Sequence, residues 1–349
     1  MPRELIADRP GHAILREYED PPLAAAEVRV ATQFSAVKHG TEFRDFRFDS
    51  ADATDRWDPD LRLHRRGEPS APRFPKKLGE GFVGIVTEVG DAVDTVQVSD
   101  RVYAHGSVAD THVIPVEHFS LRTVPPSVSN QNLVYDEAAM YALGGIRDGQ
   151  VRLGERVAVF GLGAIGQMAM QMAKLSGARW VAASDPIERR RAAAVRHGAD
   201  VVFDPAEVDV GLAIKQMTGS LGVDVSIETS SSHAALYDAL RSTRFQGRVA
   251  STAYYTGPAQ GLLLSGEWHR NQLTIISSRA AAPPQPREYS WDERIKPEVV
   301  ALLEEGRLQA EDLVDPIVPM ARAAEAYLEL NEHPERSIKL GIDHTLSSA

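Results

Sequence analysis

Three glycines and one aspartate carry the clearest chemistry in the sequence. Gly161, Gly163 and Gly166 fall in the spacing G-x-G-x-x-G, and Asp185 follows at about 20 residues, the distance such a motif needs. The first glycine allows a tight turn, the second lets backbone approach a pyrophosphate, and the third lets a helix pack close to a strand. A helix starting at Ala164 and Ile165 presents unpaired N–H groups and a positive dipole end to phosphates. The Asp185 carboxylate can accept the hydroxyls of an adenine ribose. A strand–helix turn without a ligand would use the same glycines. Strand, helix and acid in register favour a bound dinucleotide.

These residues must be held by a strand, a helix and a second strand. Residues 157–160 form a short Val-rich run, 164–175 an apolar helical stretch and 180–184 a second apolar run. Met168, Met170 and Met172 belong to the helix and read as core packing. Further strands are expected at 201–203, 223–228, 248–252 and 273–277, with helices such as 188–197 and 233–241 between them. Gly198 ends the first of these helices. Thr229, directly after the strand at 223–228, joins the cofactor-binding candidates. Six strands with intervening helices predict a doubly wound parallel sheet.

The N-terminal third reads differently. Residues 27–37 alternate through Val28, Val30, Thr32, Phe34 and Ala36, as a half-buried strand does. Residues 82–89, 101–104 and 111–115 are further strands. The polar stretch 42–77 lacks periodicity and reads as disordered or as a functional loop over a site. Its Arg44, Arg47, His64, Arg65 and Arg66 read as solvated surface. Residues 132–143 are helical, continued by 146–151. A proline-rich linker follows Ala280, then helices at 296–305 and 320–331, and a last strand at 336–342. That tail is too small for a core of its own and is expected to return to the N-terminal domain.

A length of 349 residues fits two domains. A net charge of −11 argues against nucleic acid or an anionic membrane surface and fits a protein handling small molecules. Without cysteine there are no disulfides and no thiolate metal site. The N-terminus has no signal-peptide core and no apolar run could span a bilayer, so a cytoplasmic protein is expected.

The order of segments resembles the medium-chain dehydrogenase/reductase superfamily, of the zinc alcohol and polyol dehydrogenase type. The matching stretches are FSAVKHGTEF, LGEGFVGIVTEVGDAV, VSDRVYAHG, RLGERVAVFGLGAIG, SDPIERRRAAAVRHGAD, GRVAS and LLEEGRLQAEDLVDPIVPMARAAEAYLEL. The resemblance implies an α/β fold with a GroES-like β-barrel catalytic domain, residues 1–135 and 284–349. A Rossmann domain, residues 136–283, completes it, with the site where the two meet. It also implies a homodimer or homotetramer through the edge strand near 273–279.

The departures lie at the metal. His39-Gly40-Thr41-Glu42 stands where classical members carry Cys-Gly-Thr-Asp, and Gly79-Glu80-Gly81 where they carry Gly-His-Glu. The third ligand position falls near Tyr141, and the four-cysteine structural zinc lobe is missing. His39 and Glu80 could supply two ligands, with Asp136 or Glu137 as a remote third. Zinc wants about three protein ligands and an open position. The family reading is therefore a zinc-free branch, similar to cyclitol, aminocyclitol, sugar and bacteriochlorophyllide dehydrogenases.

Without metal, side chains must take the carbinol proton and steady the alkoxide. Thr41 stands at the family's relay hydroxyl. His39 titrates near neutral pH and is the proton acceptor or oxyanion donor. Lys38 is its rival, and strand alternation would turn only one of the two inward. Glu80 pairs with His39 or holds substrate hydroxyls, and Tyr141 can donate its phenol. Glu42 is expected to bond backbone or an arginine. Asp185 repels a 2′-phosphate and so favours NAD over NADP, while Arg190 matches a basic family position at the adenosine ribose.

The expected activity is NAD-dependent interconversion of a secondary alcohol and a ketone on a small polyhydroxylated substrate. Two alternatives are an NADPH-dependent enone or quinone reductase and a non-catalytic NAD-binding protein.

Overall fold

The computed structural model describes residues 1–49, 53–279 and 294–346. It divides into two compact units, one of Met1–Val134 with Glu311–Ala349, the other of Tyr135–Ala310. The linker expected after Ala280, and the domain boundary placed at 283/284, lie outside the described residues. The helix Lys296–Glu304 beyond it packs against the helix Asp136–Asp148. The return to the first unit therefore comes at 311 rather than at 284.

The first unit is built on a mixed sheet, antiparallel except where Val314–Pro319 runs parallel to Lys339–Asp343. Arg122–Thr123, Arg101–His105, Gly81–Val89, Glu27–Ala36, Lys339–Asp343 and Val314–Pro319 follow one another across it. Thr111–Pro115 pairs with the first half of Glu27–Ala36, while Lys339–Asp343 pairs with its end. The central strand alternates as its sequence demands, with Val28, Val30 and Phe34 buried. Its last residues, Phe34, Ser35 and Ala36, are all buried, where the returning C-terminal strand pairs alongside them. A smaller sheet of Arg3–Arg9, His12–Glu17 and Lys76–Lys77 closes one side.

Two expectations fail here. The central strand stops at Ala36, so alternation does not apply to Lys38 and His39. The stretch 42–77 is not without structure. Thr41–Arg47 is a helix that buries Phe43 and Phe46 against Tyr327, and Arg56–Asp58 pairs with Leu63–Arg65 in a hairpin. Aromatic packing and a two-strand ladder formed by residues distant in type from a simple apolar period explain why pattern alone missed both.

The second unit holds a six-stranded sheet, all of its pairs parallel. Its order is Val201–Phe203, Trp180–Ser184, Arg156–Phe160, Val223–Glu228, Thr243–Ser251 and Thr274–Ser277. The chain thus runs outward in one direction from Arg156–Phe160 and then resumes on its other side at Val223–Glu228. Ligands of open α/β sheets bind at this switch point, beyond the carboxyl ends of the strands. Val157, Ala158, Val159 and Phe160 are all buried, as a strand covered on both faces requires. Met168, Met170 and Met172 are buried in the helix Ala164–Leu175, in the core role expected of them. Among the described residues no helix is long and apolar enough to cross a membrane.

Candidate active site

In the second unit the glycine turn follows directly from Arg156–Phe160. Gly161 has φ +84°, and a Cβ there would lie 2.7 Å from Ser230. Gly166 faces the Gly161 carbonyl so closely that a Cβ would come within 1.9 Å of its oxygen. Gly163 differs, because a Cβ there would meet nothing within 4 Å. It caps a helix that starts at Ala164 and receives no side-chain cap. The helix thus begins beside open space at Gly163, with Ala164 and Ile165 half-buried at the positive end of its dipole, the arrangement a pyrophosphate fits.

Asp185 ends the neighbouring strand Trp180–Ser184 and is 3% exposed. Its Oδ2 accepts the Leu162 N–H at 2.7 Å, its Oδ1 the Ile187 N–H at 2.8 Å. Arg190 Nη1 lies 3.8 Å from Oδ2. Arg191 donates to the Asp185 carbonyl and pairs with Asp204, so it is committed to the fold. Thr229 donates from Oγ1 to the Gly161 carbonyl at 2.9 Å and steadies the turn from below. Sequence reasoning missed Gln167, whose buried amide donates to the carbonyls of Leu162 and Arg190 and ties the turn to the next helix. Residue spacing could not reveal it, because glutamine in an apolar helix has no motif.

These residues fit a dinucleotide. Gly163 to Gly166 would hold its pyrophosphate and Asp185 its adenine ribose, and the group would supply the hydride acceptor.

A second buried carboxylate, Glu228, ends the strand Val223–Glu228. It accepts from Ser230 N–H at 2.7 Å and from the hydroxyls of Ser230, Ser251 and Tyr255. Burial raises its pKa against these donors, and burial followed by the Glu228 charge raises that of Tyr255.

In the first unit His39 and Glu80 are brought to one strand. Lys339 Nζ donates to Glu80 Oε2 and, at 3.3 Å, to the Val37 carbonyl. The next amide, Leu340 N–H, donates to His39 Nε2 at 3.3 Å. Lys339 is 1% exposed and Glu80 7%. Lys38 and His39 are half-buried in the strand-free residues 37–39, and Thr41 is exposed at the start of its helix. Tyr141 is half-buried on Asp136–Asp148 in the second unit.

Glu42 bonds backbone, as expected of it. Its Oε2 accepts the Gly79 N–H at 2.8 Å and its Oε1 the Tyr327 hydroxyl at 3.2 Å. Burial pushes its pKa up to about 7, the two donors oppose that rise, and the neighbouring Glu80 charge adds to it.

The donor set tests the family's zinc directly. The Glu80 carboxylate is bound by an ammonium, and Nε2 of the His39 imidazole accepts a backbone N–H. Zinc takes deprotonated ligands with lone pairs to spare and tolerates no cation among them. These residues as arranged do not fit a zinc centre.

A glycine turn of this geometry at the switch point of a doubly wound sheet is the arrangement of a dinucleotide-binding unit. Comparisons with known proteins name the family. Residues 164–294 match the model of zinc-binding dehydrogenases, a segment that excludes His39 and Glu80. The chain is 40% identical over 347 residues to D-guloside 3-dehydrogenase of Escherichia coli (strain K12), covering 97% of this chain and 99% of that protein. Among solved structures it is similar to 2R,3R-butanediol dehydrogenase from Bacillus subtilis. That match has TM-score 0.78 at 20% identity and covers 98% of this chain and 99% of that one. Galactitol-1-phosphate dehydrogenase from Escherichia coli matches with TM-score 0.77 at 19% identity over the same shares. The two structures establish the fold, a GroES-like unit with a Rossmann unit. The chain belongs to the medium-chain dehydrogenase/reductase superfamily and is an NAD(P)-dependent enzyme of the alcohol dehydrogenase class.

Proposed function

We propose that this enzyme oxidises a secondary ring hydroxyl of a hexoside to the ketone, at C3, with NAD and without zinc. The observation that carries the substrate class is the full-length similarity to a D-guloside 3-dehydrogenase. The polar groups His39, Thr41, Glu80 and Lys38 on the first unit suit a substrate rich in hydroxyls.

The chain's own tasks in such a reaction are to bind the ring, take one proton and steady one oxygen. Thr41, exposed at its helix start, is the relay hydroxyl in this reading. His39 accepts the Leu340 N–H at Nε2, and in this reading its imidazole is the group that meets the reacting oxygen. Tyr141 is a candidate second donor. Asp185 supports NAD over NADP, since its buried carboxylate would repel a 2′-phosphate. The assembly in this reading is a homodimer or homotetramer through the edge strand Thr274–Ser277, and the enzyme is cytoplasmic.

The test is turnover of the chelator-treated, full-length protein with NAD on a panel of methyl hexosides, including gulosides, and on free polyols. NADH formation on a hexoside supports the reading. No turnover across the panel, or turnover that returns only with added zinc, overturns it.

A further inference from the structure

Two of the three residues at the family's metal-ligand positions, His39 and Glu80, are held by one strand, Lys339–Asp343. Lys339 binds Glu80 through its side chain, and Leu340 binds His39 through its backbone. The surrounding backbone is locked as well. Val37 N–H bonds the Leu340 carbonyl, Glu80 N–H bonds the Ala36 carbonyl, and Gly341 lies opposite Ala36 in the ladder. An ammonium and a carboxylate are thus fixed together almost out of reach of water. Apolar residues of similar volume usually stabilise a core at least as well as a buried ion pair, so packing alone gives no reason for a lysine here.

We propose that Lys339 is the resident cation of this site. It is a positioning residue that holds Glu80 as a carboxylate and keeps the His39 ring in register beside it, in the place where relatives use a divalent ion. The inference rests on the reading of the enzyme as a metal-free alcohol dehydrogenase and names the group that makes it so. A divalent ion brought to Glu80 would have to displace the ammonium or share a buried carboxylate with it, and like charges at that range repel strongly.

The experiment compares Lys339→Met, Lys339→Arg and the double variant Glu80→Gln/Lys339→Met in the full-length protein, reading thermal midpoint and kcat separately. Lys339→Met leaves a buried carboxylate alone and is expected to lower both. The double variant removes both charges and is expected to recover the native midpoint while kcat stays down on the order of a hundredfold. Lys339→Arg is expected to retain more kcat than either. If Lys339→Met fails to fold, the double variant carries the comparison by itself. Recovery of native kcat in the double variant would make the pair purely structural and overturn the proposal.

A second arm needs no turnover. Chelator-treated native protein titrated with Co(II) is expected to show no tetrahedral absorption band, and a band at one equivalent would overturn the proposal. Inactivity of the native protein on every hexoside would instead remove the substrate reading and leave the cobalt result standing.

Discussion

The Asp185 carboxylate accepts the amide N–H of Leu162, in the middle of the glycine turn, at 2.7 Å. One side chain therefore shapes the turn and, in the proposed reading, would also hold the ribose. Asp185→Gly is expected to weaken NADH roughly tenfold or more, by removing a charged acceptor worth about 1.5–3 kcal/mol, while NADPH gains relative to NADH. Parallel fluorescence titrations with the two nucleotides measure this. An unchanged NADH/NADPH ratio would remove the ribose role.

Gly163 and Gly166 are expected to fail in different ways when changed to alanine. A Cβ at Gly163 meets no protein atom, so Gly163→Ala should melt with the native protein yet bind NADH at least about tenfold more weakly. A Cβ at Gly166 would overlap the Gly161 carbonyl, so Gly166→Ala should lose about 1–3 kcal/mol of stability before binding is considered. Thermal melts beside nucleotide titrations separate the two. Equal destabilisation by both would contradict the open space over Gly163.

Glu42 makes stability depend on pH. Its pKa is raised to about 7 in the folded chain, so between the ordinary carboxylate range and about 7 the native state binds the extra proton. Stability from this group is then full below the ordinary carboxylate value and is lost as pH rises through about 7, by on the order of 3 kcal/mol. Glu42→Gln keeps the shape without the charge. It should flatten the decline between pH 5 and 8, measured by denaturant unfolding across that range as a rough window around the two pKa values. An equally steep decline in the variant would assign the pH dependence to another group.

Among the described residues Thr274–Ser277 is the outermost strand of its sheet, and Ile275 on it is 39% exposed. If copies join there, Ile275→Lys should break the assembly, since a charged edge blocks strand addition. Sedimentation of the variant against the native protein tests it. An unchanged mass would move the interface elsewhere.

Much of the second unit could be read from the chain because its signals are local. Each parallel strand is a short apolar run, the turn declares itself by glycine spacing, and Asp185 lies one strand away in sequence as in space. The first unit is less legible because its site is assembled from three distant segments. Lys339 follows Ile338 and precedes Leu340 in an alternating strand, where a lysine ordinarily marks the solvent face. The strand is instead buried nearly throughout, and its pairing with the end of Glu27–Ala36 brings the ammonium to Glu80. Local pattern likewise could not show that the strand reading through Lys38 and His39 ends at Ala36, because the residue that replaces its ladder partner is some 300 positions away.

The first unit is discontinuous in the chain, with its closing strands supplied by residues after Ala310. During synthesis on the ribosome the whole nucleotide half emerges before the last staves of the barrel do. That half holds a complete sheet of its own and can fold early. Glu80, by contrast, waits with its charge exposed until the final few dozen residues arrive. The contact of Glu80 with Lys339 therefore forms only when the segment after Ala310 has joined the residues before Tyr135.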